Sequence, residues 1–531
     1  MQVGKQWTAD EIRAECERKA AAERLLFCPE DEPGAPNEPD TVPDEPGAPG
    51  AGGRFPSQFV LKCLSENQEG DAKLFRAIHR GRFLYDHSAR AWFWWSGNYW
   101  ETDRVELVVA DLQAVCNVYE TELQRISWQL NQAKTKEETE HLKSIEKALR
   151  KRKFDLQGES RITAVLKLAR TGFTEISTAG DAWDSEPMLL AVKNGVIDLT
   201  TGSIRAGLPG DMIKTYCHVE WLGLDAPCFL WEKAIQDIFP SDVVDYVQKL
   251  IGYSVTGKIT HHFLVICHGA GSNGKSLFFE SLGSVLGDHA FQIPSETLLA
   301  CNRDSGGGQS RSDIMALRGR RLCYTQEINS RRSLDLAKSK LLTGNDTVSA
   351  RELYGKQTTF KPSWKIFMIT NNRPNADAND FGIWRRLVLL PFERQFVENP
   401  TVENERLIDY DLPEKLKAEF PGILAWAVRG CLKWQAEGLQ PPERVRAATT
   451  NYRAENDTIQ QFIVDACLVM AGVRIRSGEL YAAYQKFCTD EGLEPESQTA
   501  FSKQMKARFK AERTMSARWF IGISLKADEN P

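Results

Sequence analysis

No stretch of the chain approaches the ~18 uninterrupted apolar residues that a membrane-spanning helix needs, so no span is expected. Met1 to Arg13 is polar and lacks the apolar core of a signal peptide. A protein made and used in the cytoplasm follows as the expectation. The twelve cysteines contain no CxxC pair, and together with the eight histidines they form no cluster at zinc spacing; reduced, buried thiols are expected in place of a disulfide framework or a metal site. His261 and His262 are adjacent, so on a strand they would point to opposite faces and share no metal. Neither sign of charge dominates: 67 basic and 72 acidic residues leave a net charge of -5. Polyanion binding through a globally basic surface is thereby excluded, and any such contact must come from local patches.

The 531 residues suffice for roughly three or four domains. Residues 1–28 read as one amphipathic helix. Residues 29–58 begin with a tract in which Asp-Glu-Pro-Gly-Ala-Pro occurs at 31–36 and again at 44–49; a Pro/Gly/acidic composition cannot bury a core and reads as a linker. Residues 59–225 read as a mixed α+β domain. Phe83, Tyr85, Trp92, Phe93, Trp94, Trp95, Tyr99 and Trp100 fall on short strands with a turn at Gly97-Asn98, among Lys73, Arg80, Arg82 and Arg90. The rings are either a base-stacking platform or the core of a small sheet, and the second reading is favoured. Residues 105–156 follow helical spacing, with Leu142, Ile145 and Leu149 three and four apart among many charges, as an exposed hairpin would. Strand-like runs return at 187–221, and helices at about 228–252.

The strongest local signal lies in the next domain, 226–445. Phe263-Leu-Val-Ile-Cys267 is a continuous apolar run, as in a parallel strand buried on both faces. It runs into Gly269-Ala270-Gly271-Ser272-Asn273-Gly274-Lys275-Ser276, followed by a helix with Leu277, Phe278, Leu282, Val285 and Leu286 on its apolar side. This is GxxxxGK[ST] in a strand–loop–helix setting. Glycines let the backbone wrap phosphates, and loop N–H groups with the helix N-terminus favour anionic oxygens. Lys275 is expected to reach the β- and γ-phosphates of ATP, and the Ser276 hydroxyl to hold Mg²⁺.

Hydrolysis also needs a positioned acid. Arg320 to Thr325 reads as a strand ending in Gln326-Glu327, which makes Glu327 the candidate to polarise the attacking water and, with Ser276, to hold Mg²⁺. A third strand, Trp364 to Thr370, ends in Asn371-Asn372; Asn371 directly follows the apolar run and is the better γ-phosphate sensor, against the plain alternative of a strand-ending turn before Pro374. Arg385 and Arg386 precede the strand Val388 to Phe392. They are either a surface pair or a source of transition-state stabilisation for a neighbouring subunit's phosphate.

In this order, Gly269…Lys275-Ser276, Gln326-Glu327, Lys340 to Asp346, Ile366…Asn371-Asn372 and Gly382-Ile-Trp-Arg385-Arg386 resemble the superfamily 3 helicases, and within them the phage and plasmid primase-helicase family with its poxvirus-type helicase domain. The aromatic segment at 80–103 and Asn194-Gly-Val-Ile-Asp198 also resemble the region that precedes that family's helicase domain. The resemblance implies an α/β fold with an AAA+ P-loop core, a homo-oligomeric ring of six subunits, and translocation on single-stranded or forked DNA during phage, plasmid or mobile-element replication in a bacterial cell. It also implies a pore hairpin after Asp346, with Gly355 at a turn and Lys356 offering a phosphate contact. Family members often begin with a primase domain. With only 1–28 and the linker before residue 59, no primer synthesis is expected, and a separate primase would be the partner.

Residues 455–526 read as a winged helix: helices over Thr458–Met470, Gly478–Cys488 and Gln498–Phe509, then a ribbon from Arg513 to Ser524. The third helix is read as carrying Lys503, Lys506, Arg508 and Lys510, so that Lys503 and Lys506 are DNA-binding candidates; a protein-interaction module with a basic face is the alternative. Two functions therefore stand: a DNA helicase, and a nucleotide-switched DNA-binding initiator or loader with little unwinding. RNA as the track stays open as well.

Overall fold

The computed structural model describes residues 55–172, 174–300, 312–325, 332–351, 357–378, 380–493, 495–514 and 517–526. The helix expected at 1–28, most of the linker, Gln326, Glu327, Gly355 and Lys356 lie outside the described residues.

At the centre is a five-stranded parallel sheet. Its strands are β1 (Leu264–His268), β2 (Ala290–Ile293), β3 (Leu322–Thr325), β4 (Lys365–Thr370) and β5 (Leu387–Pro391), and the spatial order is β2-β3-β4-β1-β5. Helix α1 (Lys275–Leu286) follows β1. The apolar run of β1 is continuous because both of its faces are covered. Val265 and Cys267 pack into one core with Phe278, Phe279 and Leu282 of α1, while Leu264 and Ile266 pack into a second with Trp364, Ile383 and Trp384. Full burial of such side chains contributes about 1.5–3 kcal/mol each, which fixes the sheet as the rigid base for the loops at its carboxyl edge. β3 and β4 are further tied where the Ile369 N–H donates to Thr325 Oγ1 at 2.9 Å.

Two helices, Ser57–Ser65 and Asn67–His79, precede the aromatic strands. They share a core with the helical hairpin Gln113–Gln132 and Lys136–Asp155 and with Glu159–Ala169. On the hairpin's second helix Leu142 and Leu149 are buried and Ile145 half-buried, and most of the charges other than Arg152 face outward. Thr135 caps that helix by accepting from the Glu138 N–H at 3.2 Å. The one fully buried carboxylate there, Asp71, is held by Arg152 at 2.8 Å, Arg161 at 2.6 Å and the Tyr119 hydroxyl at 2.8 Å. Breaking one member of such a network leaves an uncompensated charge. The aromatic segment forms strands Phe83–Asp86, Ala91–Trp95 and Trp100–Thr102. Phe83, Tyr85, Phe93, Tyr99 and Trp100 are buried and Trp92, Trp94 and Trp95 half-buried, so these rings are chiefly core. A second small sheet, Leu189–Val192, Gly195–Asp198, Ser203–Arg205 and Tyr216–Cys217, adjoins them.

The C-terminal unit departs from the sequence reading. Its first helix stops at Ala466, and Cys467–Arg476 is a strand where a helix was expected to run to Met470. That strand pairs with Arg518–Leu525, which in turn pairs with Lys510–Arg513. The unit therefore runs helix–strand–helix–helix–strand–strand. Lys510 lies on a strand, beside Glu512 at 3.0 Å, and Arg508 is spent on an ion pair with Asp457 at 2.5 Å; neither extends a free basic row on the third helix.

Among the described residues nine cysteines are free and buried, no group of His, Cys, Asp and Glu could hold a metal, and no helix is long and apolar enough to cross a membrane.

Burial makes histidine an acid sensor of the fold. His79 and His268 are pushed down to about 4, in both cases mainly by burial, and His289 well below its usual value for the same reason. A folded-state pKa below the unfolded value means that the unfolded chain takes up more protons below about pH 6.5. The contribution is therefore fully present above that pH and is lost as pH falls towards 4. Calorimetry is expected to give a lower Tm at pH 5 than at pH 7, with each titrating histidine adding a slope of about 1.4 kcal/mol per pH unit. An unchanged or higher Tm at pH 5 would contradict this account.

Candidate nucleotide site

The loop between β1 and α1 is shaped by backbone that few side chains permit. Gly271, Ser272 and Gly274 have φ of 105°, 46° and 81°. A Cβ on Gly269 would lie 2.1 Å from Asn273 Nδ2 and 2.5 Å from the Phe392 carbonyl oxygen. The segment after β5 clamps the loop from the side: the Phe396 N–H donates to the Ser272 carbonyl at 2.6 Å, and the Phe392 N–H to the His268 carbonyl at 2.8 Å. Gly269→Ala is thus expected to cost about 1–3 kcal/mol through overpacking and to weaken binding of a fluorescent ATP analogue, both readable by thermal melting and anisotropy. Wild-type values in both measurements would show that the loop has room it is not seen to have.

Lys275 is the first residue of α1 and only 2% exposed. Its ammonium donates to the Gly269 carbonyl at 2.8 Å and to Asn371 Oδ1 at 2.9 Å. These residues are 96 positions apart, and they meet because β4 lies beside β1 with Thr370 in register with His268. Of the two asparagines after β4, it is Asn371 whose amide reaches the lysine. Ser276 is exposed on the first turn of α1, open to a ligand above the loop. Thr325, the last residue of β3, ends at the same carboxyl edge; the candidate acid Glu327 lies two residues beyond it, outside the described residues.

The residues fit a triphosphate. The Asn273 Nδ2 is buried without a hydrogen-bond partner among the described residues, the glycine cradle leaves backbone N–H groups room to approach an anion, and a buried cation stands at its floor. His268, not singled out in the sequence, sits at the mouth of the loop and is held neutral by burial and then by Arg373 and Lys275. A histidine closing an apolar strand just before a glycine-rich loop was the only available signal.

The two arginines are not part of this cluster. Leu387, the first residue of β5, pairs with Leu264, the first of β1, while the phosphate loop follows the last residue of β1. Five residues of strand span about 16 Å, so Arg385 and Arg386 sit at the opposite edge of the sheet from Gly269. Arg386 donates to the Gly382 carbonyl at 2.5 Å, tying it to its own turn. Arg385 is exposed. The turn that carries both is anchored by Asp380, which accepts from the Ile383 N–H at 3.1 Å and pairs with Lys340 at 2.5 Å.

Three family models match the chain in sequence order: one described as D5 N terminal like over 72–240, a family of unknown function over 267–386, and a poxvirus D5 protein-like model over 454–522. The chain is 28% identical over 296 residues to a protein of Acanthamoeba polyphaga mimivirus named a "Putative helicase", with 53% of this chain and 31% of that protein covered. It is 25% identical over 429 residues to a protein of African swine fever virus named a "Putative primase", with 74% of this chain and 44% of that protein covered. The chain thus spans less than half the length of these curated relatives. The solved apo structure of the NrS-1 C terminal region superposes with a TM-score of 0.44 at 10% identity, over 86% of this chain and 100% of that one. The chain thus carries a D5 N terminal like region and a poxvirus D5 protein-like region on either side of the nucleotide site, and is similar to viral proteins named putative helicases and primases.

Proposed function

We propose that the chain is an ATP-driven DNA helicase that assembles into a ring, with six subunits the expected number, and draws single-stranded DNA through it during replication of a viral or other mobile genome. The observation that carries this reading is the convergence of Lys275 and Asn371 at the phosphate loop. A loop that merely bound phosphate would need no amide from a second strand, whereas a hydrolase needs a group that distinguishes γ-phosphate from its absence. The strand order β2-β3-β4-β1-β5 supports an AAA+ core.

In this reading Lys275 leaves Gly269 and Asn371 to bind the β- and γ-phosphates, and the freed Asn371 amide orients the attacking water. Ser276 and Glu327 would hold Mg²⁺, which supplies neutralisation of charge on the phosphate oxygens when bound. Glu327 polarises the water. Arg385, too far from its own loop, completes the site of the next subunit. Lys356 lines the pore and touches the DNA backbone. The C-terminal unit, whose element order is that of a winged helix, binds duplex DNA through the exposed Lys503 and Lys506.

The test is strand separation. With ATP and Mg²⁺ the protein is expected to unwind a forked duplex, and single-stranded DNA to raise its rate of ATP hydrolysis. Binding of nucleotide and DNA with neither unwinding nor stimulated hydrolysis would assign the chain to the switch-type initiators instead.

A further inference from the structure

The C-terminal sheet has one face against its helices and one towards solvent. Ile475 and Phe520 are cross-strand partners on the inner face, buried against Phe501 and Met505 of the third helix. Their neighbours Arg474, Arg476, Trp519 and Ile521 therefore project from the outer face, as do Lys510 and Glu512, which pair with Ile521 and Trp519. The Arg474 guanidinium lies 4.7 Å from the centroid of the Trp519 ring, and that of Arg476 5.3 Å. Both arginines are exposed and Trp519 is half-buried. Two carboxylates stand near: Glu512 is engaged by Lys510 at 3.0 Å, and Glu479 touches Arg476 only loosely at 3.9 Å. Arg474 has no ion-pair partner among the described residues.

We infer that this outer face, carried by Arg474, Arg476 and Trp519, is a binding surface for single-stranded nucleic acid, separate from the helix that bears Lys503 and Lys506. The inference rests on reading the C-terminal unit as a nucleic-acid module. A tryptophan on the solvent side of a sheet, with two guanidiniums of the neighbouring strand close to its ring, combines the two elements that hold an unpaired strand: a π-surface for a base and cations for the flanking phosphates. A duplex fits this face poorly, since the major groove admits a helix or a two-stranded ribbon and not a flat three-stranded sheet. The third helix lies on the other side of the sheet, so a duplex held there and a single strand held here occupy opposite surfaces of one small unit.

The experiment uses the full chain and an oligothymidylate carrying thiothymidine, crosslinked by light and mapped by mass spectrometry. Crosslinks are expected within Arg518–Leu525. They should be lost in Arg474→Ala/Arg476→Ala, retained in Arg474→Lys/Arg476→Lys, and unaffected by Lys503→Ala/Lys506→Ala, with circular dichroism showing each variant folded. Anisotropy on the same oligonucleotide should show Trp519→Ala weakening binding at least about five-fold, and the alanine pair lowering the slope of log K against log salt by about 1.4; duplex binding should not change. Crosslinks confined to Gln498–Arg508 would overturn the inference while leaving the nucleic-acid reading of the unit intact. No crosslink anywhere in 458–526 would overturn both.

Discussion

Lys275→Ala is expected to abolish ATP hydrolysis and unwinding while leaving the protein folded. The ammonium is a buried cation at the floor of the phosphate loop, and removing a single preorganised electrostatic contact to a developing charge typically costs about 10²–10³ in turnover. Here the loss should be at the upper end or beyond, because the same group also binds the ground state. The effect on stability is of a different order. Lys275 is 2% exposed, so its removal relieves the desolvation of a charge, but it takes its donor away from the buried Gly269 carbonyl. An orphaned buried acceptor costs about 1–3 kcal/mol, a shift of a few degrees in a chain of this size. Circular dichroism and melting should show a folded variant, and a phosphate-release assay should show none above background. Unwinding at the wild-type rate would remove the motor assignment altogether. Asn371→Ala separates the two roles of the loop: nucleotide binding should persist while hydrolysis falls, since the amide enters the proposed reaction only when γ-phosphate is present.

What could be read from sequence depended on how local the signal was. The apolar runs at 263–267, 322–325 and 364–370 announced strands because burial on both faces leaves no polar alternation to confuse them. The glycine-rich loop was legible because its chemistry and its φ angles are both set within eight residues. Four features were not. Ala290–Ile293 is a short strand at the sheet edge with only Ile293 fully buried, and it carries little pattern of its own. Cys467–Arg476 contains Ala471-Gly472 and continues the apolar spacing of the preceding helix; only its pairing with Arg518–Leu525, some fifty residues on, makes it a strand. The meeting of Lys275 with Asn371 depends on β4 lying next to β1, and sequence order alone would have put β2 there. Likewise, that Arg385 and Arg386 sit at the far edge of the sheet follows from the register of β5, which no local motif encodes.

That register yields the second large effect. Arg385→Ala is expected to cost about 10³-fold or more in ATP turnover, the size associated with an arginine supplied to a phosphoryl transition state by a neighbour, with nucleotide affinity little changed. Arg386→Ala should instead act mainly on stability, since its guanidinium is bound to the Gly382 carbonyl and burial already holds its pKa down. An arginine serving its own loop and one serving the next subunit are distinguished by mixing. In a head-to-tail ring each site takes its lysine from one subunit and its arginine from the next. Lys275→Ala and Arg385→Ala proteins, each inactive alone, should then recover activity when assembled together. An interface is complete when an Arg385→Ala subunit supplies the lysine and a Lys275→Ala subunit the arginine, which for random assembly at equal amounts is roughly one interface in four. Recovery of about that fraction of wild-type hydrolysis would place the arginine in trans. A mixture as inactive as its components, with ring formation verified by light scattering, would show that the arginine does not complete a neighbour's site, and the role proposed for Arg385 would fall.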